Sequence, residues 1–102
     1  MGWATNHIQK LQNGETVKFR PHGNSMAGKI DSGQLCTVEP VNENTTFVVG
    51  NIVLCKVYGT HYLHLITATR MGDRYQISNN KGHINGWINR KQIYGKLVDV
   101  TD

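Results

Sequence analysis

The chain has 102 residues, of which 38% are apolar and 18% charged, and it carries 11 glycines. That is enough length for one domain with a modest core, and the composition of a turn-rich globular fold rather than of a disordered chain. The net charge of +4 is spread along the sequence, with no helix-turn-helix pattern, zinc-ligand spacing or basic-aromatic repeat, which argues against nucleic acid as a main partner.

Residues 1 to 10 lack the continuous apolar core of a secretory signal. No run approaches the roughly 18 apolar residues needed to span a bilayer. The expectation is a soluble, cytoplasmic chain with no membrane partner. Residues 3 to 12 predict a short helix with Trp3, Ala4, Ile8 and Leu11 on its apolar face. Gly14 stands where a helix C-terminal cap would sit, and a hairpin through Asn13-Gly14 is the competing reading. Residues 1–14 are thus an N-terminal segment, and 15–102 form the main domain.

Val17 and Phe19 alternate with polar neighbours, as in a half-buried strand. Leu35 to Val38 reads as a second strand, ended by Pro40. Asn51–Tyr58 and His61–Thr69 are two further strand patterns, separated by a tight turn at Gly59-Thr60. Met71-Gly72-Asp73 predicts another turn, and Arg74–Ile77 another strand. Ser78 to Gly86, rich in Asn and Gly, reads as loop. Trp87-Ile88 is an apolar island, and Ile93–Val100 a weakly alternating final strand. Six or so short strands with closely spaced turns predict a mainly β fold, a compact antiparallel barrel or sandwich. Cys36 and Cys55 each lie in a strand-like apolar run, as free buried thiols would in a cytosolic protein. No metal site and no cofactor is indicated.

The chemistry concentrates in Arg20-Pro21-His22-Gly23-Asn24-Ser25-Met26-Ala27-Gly28-Lys29-Ile30, a loop between two strand patterns. Its residues are those of an ordinary turn. A serine beside glycine on a tight loop can also present its hydroxyl outward among backbone N–H groups, as acyl transfer requires.

Gly23-Asn24-Ser25-Met26, followed by Ile30 and Gly33, resembles the nucleophile box of the signal-peptidase-like serine peptidases, a group that includes the self-cleaving phage and SOS repressors. The resemblance runs over residues 16 to 100. Val49-Gly50-Asn51-Ile52-Val53 looks like the family's Gly-Asp-Ile-Val box, with Asn51 in place of Asp. Tyr62-Leu63-His64-Leu65-Ile66 looks like the box carrying the general base, which falls on His64; the arginine common beside it is Leu65 here. Histidine rather than lysine at that place is similar to the archaeal and endoplasmic-reticulum branch. An imidazole is already largely neutral at pH 7, whereas a lysine must be desolvated to become so.

The resemblance implies a fold of the LexA and signal peptidase type and a Ser25–His64 dyad acting through an acyl-enzyme. Asn79, in Tyr75-Gln76-Ile77-Ser78-Asn79-Asn80, matches the group that would orient the imidazole. It places the oxyanion and substrate contacts at Gly23, Asn24 and Met26, and a packing strand at Ile93-Tyr94-Gly95-Lys96-Leu97-Val98. The substrate would be a peptide or protein segment, and a homodimer through the C-terminal strands is compatible with the repressor relatives. The departures at Asn51, Leu65 and Asn79 support the alternative, a catalytically inactive module that binds or regulates a protein partner. His22 is a rival base, His61 reads as a solvated edge residue, and His7 and His83 have no supporting context.

Overall fold

The computed structural model describes residues 2–102. Its first element is helix α1, Thr5–Gln12. Ala4, Ile8 and Leu11 are buried at helical spacing along one side. Gly14, at φ 83°, ends the helix: its N–H reaches the carbonyl of Leu11 at 3.0 Å, and the Glu15 N–H reaches that of Lys10 at 2.9 Å. This is a Schellman cap, for which glycine is suited because the left-handed conformation costs it little. Trp3 departs from the expectation. It stands before the helix, 52% exposed, with its ring centroid 5.8 Å from that of Phe19.

Seven strands follow: β1 Val17–Phe19, β2 Leu35–Pro40, β3 Ile52–Val57, β4 Thr60–Arg70, β5 Arg74–Ser78, β6 Ile84–Asn89 and β7 Ile93–Thr101. All pair antiparallel in one sheet of order β1-β2-β7-β3-β4-β5-β6. The fold is therefore mainly β, as composition and turn spacing predict. The strand pairing does not close: β1 and β6 are free edges, so the expected barrel is an open, irregular sheet. β1 is only three residues long, and no pairing joins it to β6.

Turn chemistry sets the central hairpin. Tyr58 (φ 47°) and Gly59 (φ 82°) connect β3 to β4 with two left-handed residues, the pairing that matches the twist of the flanking strands. The turn lies one residue earlier than its glycine alone suggests, because Tyr58 accepts the strained position. Residues 84–89 are the larger departure: they form β6, where the sequence predicts loop up to Gly86.

β3 carries the interior. Its residues alternate between two apolar clusters, Ile52 and Leu54 facing one, Val53, Cys55 and Val57 the other. Five of its six residues are buried, which is why it reads as a continuous apolar run rather than as an alternating one. The first cluster includes α1, so the N-terminal segment is packed into the domain. Cys36 and Cys55 are free and buried, one in each cluster, and burial pushes the Cys55 thiol up to about 12. Among the described residues no helix is long and apolar enough to cross a membrane.

β7 is paired on both sides, and Gly95 lies opposite Pro40 of β2 and Leu54 of β3. A Cβ there would stand 2.5 Å from Val38 Cγ1 and 2.9 Å from Leu11 Cδ1. The missing side chain is the notch into which α1 settles.

Candidate active site

Residues 20–34, between β1 and β2, form a loop tied at its base. The Gly33 N–H donates to the Pro21 carbonyl at 2.9 Å, and Arg20 Nη1 donates to the Gly33 carbonyl at 2.8 Å. Within it the Gly23 N–H donates to Ser32 Oγ, and the Gly28 N–H to Asp31 Oδ1, each at 3.1 Å. Met26 and Ile30 drop into the first apolar cluster. Ser25 therefore sits one residue before a buried anchor, with its own side chain exposed. On the far side Asn80 clasps the loop: its N–H donates to the Ser25 carbonyl and its Nδ2 to the Ala27 carbonyl, both at 2.8 Å.

His64 reaches the same place from the middle of β4, paired with Val53. Strand alternation sends Leu63 into the first cluster and turns Tyr62 and His64 to the opposite face, where their rings stack with centroids 4.7 Å apart. The imidazole is only 7% exposed, and its two nitrogens are both engaged. Nε2 lies 3.2 Å from Ser25 Oγ, and Nδ1 lies 2.7 Å from Asn85 Oδ1. An amide oxygen can only accept, so Nδ1 carries the proton and Nε2 presents its lone pair to the serine hydroxyl. Burial lowers the pKa of His64 below the ordinary imidazole value. The bond to Asn85 opposes that effect, and the nearby charge of His83 adds to it. The ring is consequently neutral near pH 7, the state a general base requires.

The residues marked in the sequence divide cleanly. Ser25 and His64, 39 positions apart, are brought together. Asn79 is not with them: its Oδ1 accepts the N–H groups of Lys81 at 2.8 Å and His83 at 2.9 Å. A short side chain at the mouth of a turn captures the nearest backbone donors, so Asn79 shapes the β5–β6 connection. The residue that faces the imidazole is Asn85 on β6, missed because Asn-rich sequence around a glycine hides a strand. Gly86 and Ile88 carry the strand pattern opposite Ile77 and Tyr75, but a bulge between Ile84 and Gly86 breaks the alternation just where Asn85 lies.

Gly23, at φ 124°, and Asn24 lead into the nucleophile on its exposed side, whereas the Met26 side chain is buried and can offer only backbone. Among the described residues, no hydrogen bond within the chain occupies the N–H of Ser25 or of Met26. Two uncommitted backbone donors thus belong to the nucleophile and the residue after it, groups of the kind that can hold a developing oxyanion. Asn51 belongs to a separate turn, where its Oδ1 accepts the Val48 N–H at 2.9 Å.

Ser25 and His64 open onto a cleft of about 500 Å³ whose walls include Trp3, His7, Phe19, His22, His61 and Tyr62. His22 and His61, the rival base and the edge residue of the sequence, both border this cleft, but the ring at the hydroxyl is that of His64. No group of three or more His, Cys, Asp or Glu among the described residues converges to hold a metal. In comparison with known proteins, no family model and no curated sequence matches the chain.

Proposed function

We propose that the protein is a serine hydrolase acting on acyl bonds, with a peptide segment as the substrate and Ser25, His64 and Asn85 as its catalytic line. The observation that carries this reading is the pair of contacts at His64, 3.2 Å to the serine hydroxyl and 2.7 Å to an acceptor that fixes the tautomer. Ser25 Oγ attacks the carbonyl carbon while Nε2 takes its proton. The oxyanion lies against the N–H groups of Ser25 and Met26, and the same nitrogen returns the proton to the leaving amine. Water then enters by the reverse sequence and releases the acid.

Support beyond the contacts comes from the order of boxes shared with the signal-peptidase-like serine peptidases. A nucleophile on a loop after the first strand and a base on a later one is the arrangement which that resemblance implies. Asn85 supplies orientation without a full negative charge, so the imidazolium formed in the transition state is stabilised less than by a carboxylate. A slower enzyme is expected than one with aspartate.

A fluorophosphonate probe tests the reading directly. Folded wild-type protein is labelled, Ser25→Ala removes the label, and His64→Ala lowers the rate on the order of 10²-fold or more. A folded protein that takes no label is instead a binding module that keeps the geometry without the chemistry, a reading that the neutral amide at Asn85 favours.

A further inference from the structure

The cleft has a second wall that the dyad does not use. His7 and Phe19 stack with ring centroids 4.4 Å apart and planes inclined by 21°. Trp3 leans on both, 5.8 Å from Phe19 and 6.5 Å from His7. Beneath lie Met26, Ile30 and Leu63, all buried. An indole left half in water beside such a floor is an unsatisfied apolar surface, and covering it is favourable.

The two charged side chains at this end of the cleft are each tied to the loop backbone. Arg20 donates to the Gly33 carbonyl, and Asp31 accepts the Gly28 N–H. Burial holds the His7 pKa below the ordinary value, with Lys10 adding to the effect, so the stacked imidazole is uncharged near pH 7. The volume, about 500 Å³, lies within the range of small-molecule sites.

We infer that the wall formed by Trp3, His7 and Phe19 is the acyl-side specificity pocket, and that it takes an aromatic side chain on the acyl group delivered to Ser25. This rests on the hydrolase reading above. Rings offer edge-to-face and offset contacts to this wall that an acetyl or alanyl group cannot make. The step is ordinary acyl transfer. The Ser25 Oγ–acyl carbon bond forms, the hydroxyl proton passes to His64 Nε2, and the leaving group departs with the electron pair of the broken bond. Water then converts the acyl-serine to a carboxylate.

Para-nitrophenyl esters of acetic and 3-phenylpropanoic acid distinguish the outcomes, run beside fluorophosphonate labelling of the same sample. With each rate divided by that of the ester with free imidazole, kcat/KM for the phenylpropanoate should exceed that for the acetate about tenfold. Trp3→Ala should reduce this ratio roughly 3- to 10-fold, while Met71→Ala, on a remote turn and 98% exposed, leaves it unchanged. Labelled protein with a corrected ratio of one or less, or with a ratio indifferent to Trp3→Ala, overturns the pocket and leaves the hydrolase standing. Protein that takes no label overturns both.

Discussion

Asn85 Oδ1 stands 2.7 Å from His64 Nδ1, across a β4–β5–β6 meander that separates the two residues by 21 positions. An amide in this place orients the ring without adding charge, and its worth can be measured by changing only that charge.

Asn85→Ala should lower kcat/KM, or the labelling rate, on the order of 10²-fold, since a freed imidazole samples the wrong tautomer. Asn85→Asp should raise both. It should also move the activity profile: activity rises with pH as His64 loses its proton, and a carboxylate beside Nδ1 favours the protonated ring. The rising limb then shifts to higher pH than in the wild type. A limb that stays in place in Asn85→Asp means that another group titrates.

Stability should fall in acid. Burial holds His64 and His7 below the ordinary value of 6.5, so the unfolded chain binds protons more readily than the folded one. Stability rises with pH wherever that is so. The contribution of these rings is complete above 6.5 and is lost as the pH falls through their folded values. Urea midpoints measured between about pH 7.5 and pH 5 should therefore decrease, and His64→Leu should flatten that slope.

The Asn80 clasp should matter more to activity than to folding. Asn80→Ala keeps the backbone bond to the Ser25 carbonyl and removes the one to Ala27. One exposed bond contributes about 0.5–1.5 kcal/mol, which a melting curve would register as a small shift. The labelling rate of Ser25 should drop several-fold as the loop loses its outer tie. Equal losses in both measurements would mean that the clasp only holds the fold.

Gly95→Ala should do the reverse. The new methyl would meet Val38, Leu11 and the Glu39 carbonyl at 2.5, 2.9 and 3.1 Å. Overpacking of this kind costs about 1–3 kcal/mol, seen as a lower denaturation midpoint. Because α1 rests in that notch, the environment of Trp3 should change too, which near-ultraviolet circular dichroism would report.

Much of this fold is legible in the sequence. The hairpin turns follow from Gly59 and Gly72, because left-handed turns need residues that tolerate them, whereas Gly14 fits a helix cap and a hairpin alike and only the structure decides for the cap. The apolar run at β3 announces a strand buried on both faces. Ser25 and His64 can be paired only through the resemblance of their boxes to those of a known family, since nothing in the local patterns joins two residues 39 positions apart. Asn85 is not legible, because its stretch reads as loop; Asn79, which the resemblance marks, keeps to the backbone donors of its own turn. Strand closure was equally hidden: the pairing of β7 between β2 and β3 and the free edges at β1 and β6 are long-range facts, and no local pattern records them. The aromatic wall combines Trp3 and His7 with Phe19, residues whose meeting depends on how α1 seats against the sheet.

The alcohol, the ring and the amide come from positions 25, 64 and 85, and the last rides on a strand at the sheet's rim. A growing polypeptide in which β6 has yet to be laid down has its serine but nothing to hold the imidazole true. On the hydrolase reading proposed above, a chain that lacks β6 has a base with no partner at Nδ1 and should take the fluorophosphonate label more slowly than the finished protein.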